Sequence, residues 1–213
     1  MRGASFPLWQ WFFIVFFRWA FRALFWATGG LEVHGLEHVP NGAILVSPCH
    51  RSLLDPWLML AATPRLHRYL AARELHAIPV LGPFMTGMGS SPITRGSTDP
   101  EALVKVERWL KLGDSVVVFA EGRISPSDEF LSLQPGVVVM ALRTQTPILP
   151  VAIIGSNRVL PFKGRWLRRH PIVVRFGPPI TPPLRRAGFS IKAQVQDLMG
   201  QLQCSMEELY RGP

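Results

Sequence analysis

A histidine followed five residues later by an aspartate is the first feature of this chain that reads as chemistry: Pro48-Cys49-His50-Arg51-Ser52-Leu53-Leu54-Asp55-Pro56. The apolar run Ala43 to Ser47 before it reads as a strand, and Pro56 stands where a helix begins. One turn of chain brings the Asp55 carboxylate back to an imidazole nitrogen of His50. Such a contact sets the tautomer and raises the basicity of the ring, leaving the other nitrogen free to take a proton. A plainer reading stands beside it: Asp55 caps a helix and His50 is a hydrogen-bonded surface side chain. Cys49 is set aside as a nucleophile because neighbours on an extended chain point to opposite sides. Ser52 ranks no higher.

A second candidate, Phe119-Ala120-Glu121-Gly122-Arg123-Ile124-Ser125, follows the apolar strand Ser115 to Phe119 at its carboxyl end, where open α/β sheets bind ligands. Gly122 lets backbone approach a ligand closely, and Arg123 offers a planar fork to phosphate. Glu121 can hold that arginine, accept a substrate hydroxyl or pair at the surface. The third, Gly89-Ser90-Ser91-Pro92-Ile93-Thr94-Arg95-Gly96, ends in an arginine flanked by glycine. Either arginine alone reads as a surface charge; two of them at strand ends, with His50 at a third, form a better signal.

The elements that must hold these residues alternate. Strands are expected at Leu31 to His34, Ala43 to Ser47, Arg68 to Ala72, Ser91 to Thr94, Ser115 to Phe119, Ile148 to Ile154 and Ile172 to Phe176. Helices are expected at Pro56 to Ala62, from Pro100 to Leu112 behind the N-cap Asp99, at Val137 to Thr144, and from Ser190 onward with Ile191, Val195, Leu198, Leu202, Met206 and Leu209 on one stripe. The class is α/β, with helices on the faces of the sheet.

Residues 1–30 stand apart. Phe6 to Trp26 carries eleven Trp and Phe side chains, and the uncharged run Gly3 to Phe17 makes a helix of only about 22 Å, short of the roughly 30 Å hydrocarbon layer. Arg18 and Arg22, four apart, share a helical face and are expected to reach lipid headgroups. An in-plane membrane anchor is the preferred reading, ahead of a tilted span and of a soluble core helix. Residues 31–213 make the remaining domain.

The chain of 213 residues has a formal net charge of +9, yet only 17% of its residues are charged and 48% are hydrophobic. That excludes a disordered polyelectrolyte. No acidic residue lies between Glu129 and Asp197, while ten basic ones do, and the remainder of the chain nets −1. The basic block implies an anionic partner. Nucleic acid is set aside because the aromatic rings cluster in one apolar helix instead of interleaving with the cations. A metal site is set aside because His34 and His38 straddle a turn with no second cluster, and two cysteines, Cys49 and Cys204, make no disulfide scaffold. Phe162-Lys163-Gly164-Arg165-Trp166-Leu167-Arg168-Arg169 reads either as a further lipid-docking surface or as an ordinary basic loop over the sheet edge.

Four ordered blocks, His50-x-x-x-x-Asp55, Gly89 to Arg95, Phe119 to Ser125 and Leu149-Pro150-Val151-Ala152-Ile153, resemble those of the glycerolipid acyltransferases, specifically the 1-acylglycerol-3-phosphate (lysophosphatidate) acyltransferases. The resemblance covers about Leu31 to Ile180. It implies a mixed, largely parallel sheet flanked by helices, with His50 as base and Asp55 as its orienter. It places Arg95, Glu121, Gly122 and Arg123 at the glycerol-phosphate site. It also implies a lysophospholipid acceptor, an acyl-CoA or acyl-carrier-protein thioester as co-substrate, no further cofactor and no metal. The location implied is the cytoplasmic face of an inner membrane with an anionic lipid surface. The family's third block usually reads Phe-Pro-Glu-Gly-Thr-Arg-Ser; here Ala120 replaces the proline and Arg123 directly follows Gly122, an order also found in relatives that acylate lysophosphatidylethanolamine. Ser91 and Pro92 replace the customary bulky apolar residues of the second block. A non-catalytic lipid-binding protein is the rival from another class.

Overall fold

The computed structural model describes residues 6–94, 99–127, 129–184 and 190–212. Seven strands, β1 (Leu31–His34), β2 (Ile44–Pro48), β3 (His67–Ala72), β4 (Ser90–Ile93), β5 (Ser115–Val117), β6 (Ile148–Ile154) and β7 (Ile172–Phe176), form one sheet in the order β1-β7-β6-β2-β5-β3-β4. All neighbours run parallel except β6 and β7. β2 and β5 are buried along their whole length and β6 over nearly all of its own, which is why they are continuous apolar runs without alternation.

The helices are α1 (Leu8–Ala27), α2 (Asp55–Ala62), α3 (Arg73–His76), α4 (Leu81–Gly87), α5 (Pro100–Lys111), α6 (Gly136–Thr144), α7 (Ser156–Val159) and α8 (Ile191–Arg211). The Asp99 side chain accepts the N–H of Ala102 at 3.1 Å and so caps α5 as expected. Leu198, Leu202 and Met206 bury the middle of the expected stripe of α8, Val195 and Leu209 are half-buried, and Ile191 at its start is exposed instead, because the first turn of the helix extends beyond the core.

Topology decides where a ligand site can open. The connection from β2 through α2 to β3 crosses the sheet one way, and that from β5 through α6 to β6 crosses it the other way. Right-handed crossovers therefore put α2 and α6 on opposite faces. Because β2 and β5 are neighbours, the chain parts at their carboxyl ends and leaves a crevice there. β1 and β7 run against the other strands, so their starting ends lie at this same edge, beside the end of α1. The N–H of His170 donates to Thr28 O at 2.8 Å and that of Ile172 to Gly30 O at 3.0 Å.

α1 is packed on one side and bare on the other. Phe17 meets Phe84 of α4 with ring centroids 4.8 Å apart, and Phe21 stacks on Trp57 of α2 at 5.2 Å. Leu8, Trp9, Phe12, Phe16, Trp19 and Trp26 are exposed. No helix among the described residues is long and apolar enough to cross a membrane. The expectation that Arg18 and Arg22 reach for headgroups is corrected. Arg18 donates to Leu60 O at 3.2 Å and Arg65 O at 2.9 Å, and Arg22 donates to Ala61 O at 3.2 Å. The last carbonyls of α2 lack intrahelical donors, and Pro64 beyond Thr63 brings no N–H, so cations from α1 serve them.

Candidate active site

The chain leaves β2 at Pro48 and turns at once. His50 Nδ1 lies 2.9 Å from Asp55 Oδ2, and the same oxygen accepts the backbone N–H groups of Arg51 at 2.6 Å and Ser52 at 2.8 Å. Asp55 thus folds the turn and orients the ring together. A carboxylate only accepts, so the imidazole proton is held on Nδ1 and Nε2 presents its lone pair. The ring lies over Phe119 with centroids 4.2 Å apart. Asp55 is fully buried, whereas the His50 side chain keeps 13% of its surface open, and no described residue engages its Nε2. The arrangement is that of a general base with one face available.

The other reactive groups of the turn are committed elsewhere. Cys49 is buried, its thiol donates to Ile153 O at 3.4 Å, and burial pushes its pKa up to about 12. A thiolate there is scarce at neutral pH. The Ser52 hydroxyl donates to Leu160 O at 2.9 Å and accepts the N–H of Leu54 at 3.2 Å. Neither is poised as a nucleophile.

Glu121 does hold an arginine, but it is Arg51 and not Arg123. Arg51 Nη1 donates to both carboxylate oxygens, at 2.9 Å and 2.8 Å, from a side chain with 0% exposure. Oε1 of Glu121 also accepts the His50 N–H at 3.1 Å, and Oε2 accepts that of Leu131 at 3.1 Å. With these four contacts the carboxylate has little capacity left for an acceptor headgroup. Through the His50 N–H it braces the turn that follows β2. The Arg51 guanidinium lies 4.5 Å from the Phe130 ring centroid and 5.6 Å from that of Tyr210 on α8. Ser125 N–H donates to His50 O at 2.8 Å and Gln134 N–H to Ala120 O at 2.7 Å, stitching the segment after β5 to the turn after β2.

Gly122 has φ of 68°, a left-handed turn that suits glycine, and Arg123 follows it exposed with no described partner. The structure therefore brings His50, Asp55, Glu121 and Gly122 together at the switch point, with Arg123 on its rim. Arg95 lies outside the described residues. Arg51 was passed over in the sequence; its signal is a cation set between two candidate catalytic residues at the end of a buried strand, where an unpaired charge is untenable. Among the described residues no group of His, Cys, Asp and Glu is placed to hold a metal.

Comparison with known proteins bears on this geometry. The Acyltransferase family model matches residues 30–154. Chloroplastic 1-acyl-sn-glycerol-3-phosphate acyltransferases of Brassica napus and Arabidopsis thaliana are 26% and 27% identical over 65% and 66% of this chain. The chain spans only 41% and 40% of their lengths. The 1-acyl-sn-glycerol-3-phosphate acyltransferase of Bacillus subtilis is 27% identical over 68% of this chain and 74% of its own. The crystal structure of the 1-acyl-sn-glycerophosphate acyltransferase from Thermotoga maritima superposes with a TM-score of 0.74 at 25% identity, covering 94% of this chain and 80% of that one. The match over residues 30–154 includes every strand from β1 to β6 and both turns of the site, and the chain belongs to the Acyltransferase family.

Proposed function

We propose that this protein transfers a fatty acyl group from an acyl thioester to the free hydroxyl of a lysophospholipid, with 1-acyl-sn-glycerol 3-phosphate as acceptor and phosphatidic acid as product. The observation that carries the reading is the His50 ring, held at Nδ1 by buried Asp55 and open at Nε2, in the crevice where the chain parts. Nε2 takes the hydroxyl proton as the oxygen attacks the thioester carbonyl. The carbon–sulfur bond then breaks, and the imidazolium returns its proton to the departing thiolate. Asp55 stabilises the imidazolium between these steps. No covalent acyl-enzyme is needed, which agrees with the engaged states of Cys49 and Ser52, and the reaction as written calls for no cofactor.

Arg123 on the rim, and Arg95 by the resemblance of its block, are assigned to the acceptor's phosphate. The donor is acyl-CoA or an acyl carrier protein. The exposed aromatic face of α1 supports work at a membrane, and we assign the cytoplasmic face of the inner membrane.

The test is an acyl-transfer assay crossing both donors with lysophosphatidate and lysophosphatidylethanolamine. His50→Ala is expected to lower kcat by ~10²–10⁴ while the fold stays intact. Near-normal turnover in that variant removes the proposed base. Arg123→Ala is expected to raise the KM for lysophosphatidate and leave kcat much less affected; an unchanged KM removes the phosphate assignment.

A further inference from the structure

The residues Phe162 to Arg169 take no part in the chemistry above, yet they are held beside it at both ends. Before them, Leu160 O accepts the hydroxyl of Ser52 in the His50 turn at 2.9 Å. After them, His170 N–H donates to Thr28 O at the end of α1. A Cβ on Gly29 would stand 2.6 Å from His170 backbone, so that junction is close-packed. Between these ties the loop is open. Trp166 is 83% exposed, and Phe162 and Leu167 are exposed as well. Lys163, Arg165, Arg168 and Arg169 are exposed around them, with no carboxylate among the described residues within ion-pair distance.

α1 explains why such a loop is needed. Its outer face offers Trp9, Phe12, Phe16, Trp19 and Trp26, but its only two cations are committed to the carbonyls of α2. That helix brings apolar area without charge. The loop brings charge, and it joins α1 at the end where Trp26 is 79% exposed. Both lie at the sheet edge that holds His50.

We propose that Phe162–Arg169 is the electrostatic half of a two-part lipid dock: Trp166 and Leu167 enter the interface of an anionic bilayer while Arg165, Arg168 and Arg169 meet its headgroups. The loop thereby fixes the rotation of the enzyme about α1, so that the crevice beside His50 faces the lipid. This deepens the proposed function, but its test does not need turnover. An indole with an apolar body and one N–H donor suits the interfacial layer, and clustered arginines answer its negative potential.

The experiment is sedimentation of the full chain with phosphatidylcholine vesicles containing 0–30% phosphatidylglycerol, at low and high salt. Each neutralised arginine is expected to weaken binding to the anionic vesicles about five-fold, so the Arg165→Gln, Arg168→Gln, Arg169→Gln variant loses on the order of a hundred-fold. Binding of that variant to pure phosphatidylcholine is expected to stay unchanged, because the apolar face of α1 and Trp166 supply it. Acylation of a dispersed short-chain acceptor is expected to stay unchanged too, showing an intact site. Trp166→Ser should weaken binding to both vesicle types. If the triple variant keeps the wild-type dependence on phosphatidylglycerol and salt, the proposal is wrong. If it keeps vesicle binding but loses turnover only with an acyl-carrier-protein thioester, the loop docks an acidic protein and the lipid assignment is equally overturned. Failure of His50→Ala to lose activity would leave the vesicle result standing, so the two claims fail separately.

Discussion

Replacing Glu121 by Gln strands the Arg51 charge in a site with no other counter-charge among the described residues within hydrogen-bond reach, and the cost can be worked from the contacts. Both side chains are fully buried, and the carboxylate takes two hydrogen bonds from Nη1 and one each from the His50 and Leu131 N–H groups. The glutamine amide keeps one acceptor oxygen but turns an NH2 toward donors it cannot satisfy. Removing one partner of a buried ion pair costs about 3–5 kcal/mol. For a chain of this size each kcal/mol lowers Tm by roughly 2–4 °C, so Glu121→Gln should melt about 6–20 °C below the parent by calorimetry. Arg51→Met leaves the carboxylate with its two backbone donors, and the methionine still packs on Phe130, so its loss should be smaller. The double variant has no stranded charge and should recover at least ~2 kcal/mol relative to the sum of the single losses. It should not recover turnover, because the brace on the His50 N–H stays weakened, and small displacements of a catalytic group can cost ~10²-fold. Strict additivity of the two stability losses, or a double variant that turns over like the parent, would refute the account of Glu121 as a charge-paired brace.

Three further outcomes concern groups that take no part in the proposed reaction. His67 has both ring nitrogens in hydrogen bonds, to Thr63 Oγ1 and Ser115 Oγ at 2.8 Å each, and burial, with Arg65 and Arg18 nearby, pushes its pKa down to about 3. The unfolded chain then binds the extra proton first as pH falls below about 6.5, so this residue's contribution declines from there toward pH 3, by about 2 kcal/mol at pH 5; urea melts of His67→Gln should lack that part of the slope. Iodoacetamide should modify only Cys204 in the native protein and both cysteines in urea, and Cys49→Ala should keep acyl transfer within a few-fold. Arg18→Met removes two charge-assisted hydrogen bonds, one to Leu60 O of α2 and one to Arg65 O beyond it, and should cost about 2–4 kcal/mol in urea melts, with faster proteolysis within α1; equal stability and protection would mean that the arginine does not seat the helix.

What the sequence discloses divides by distance along the chain. His50 and Asp55 are five residues apart, and a strand end followed by a proline-opened helix leaves the turn few ways to fold, so their meeting was legible. The strand set, the cap at Asp99 and the stripe of α8 were legible for the same local reason. α3 and α4 were not: Ile78-Pro79-Val80-Leu81-Gly82-Pro83 carries helix-breaking residues, and Val80 enters α4 with φ of 68°. Arg51 and Glu121 are 70 residues apart, and they meet because β2 and β5 are neighbours, an ordering that no local pattern encodes. The same limit governs Arg18 and Arg22. Helical spacing put them on one face, but what lies opposite that face was set by where α2 ends. Charges at the margins of apolar segments are thus legible as needing a partner before the partner can be named. In this protein the partners proved internal, to a glutamate that braces the His50 turn and to the open end of a helix. The basic loop Phe162–Arg169 has no such internal partner among the described residues, and it is the loop tied to both the His50 turn and the end of α1. Cations left without an internal use beside a crevice are the ones whose partner must be sought outside the chain.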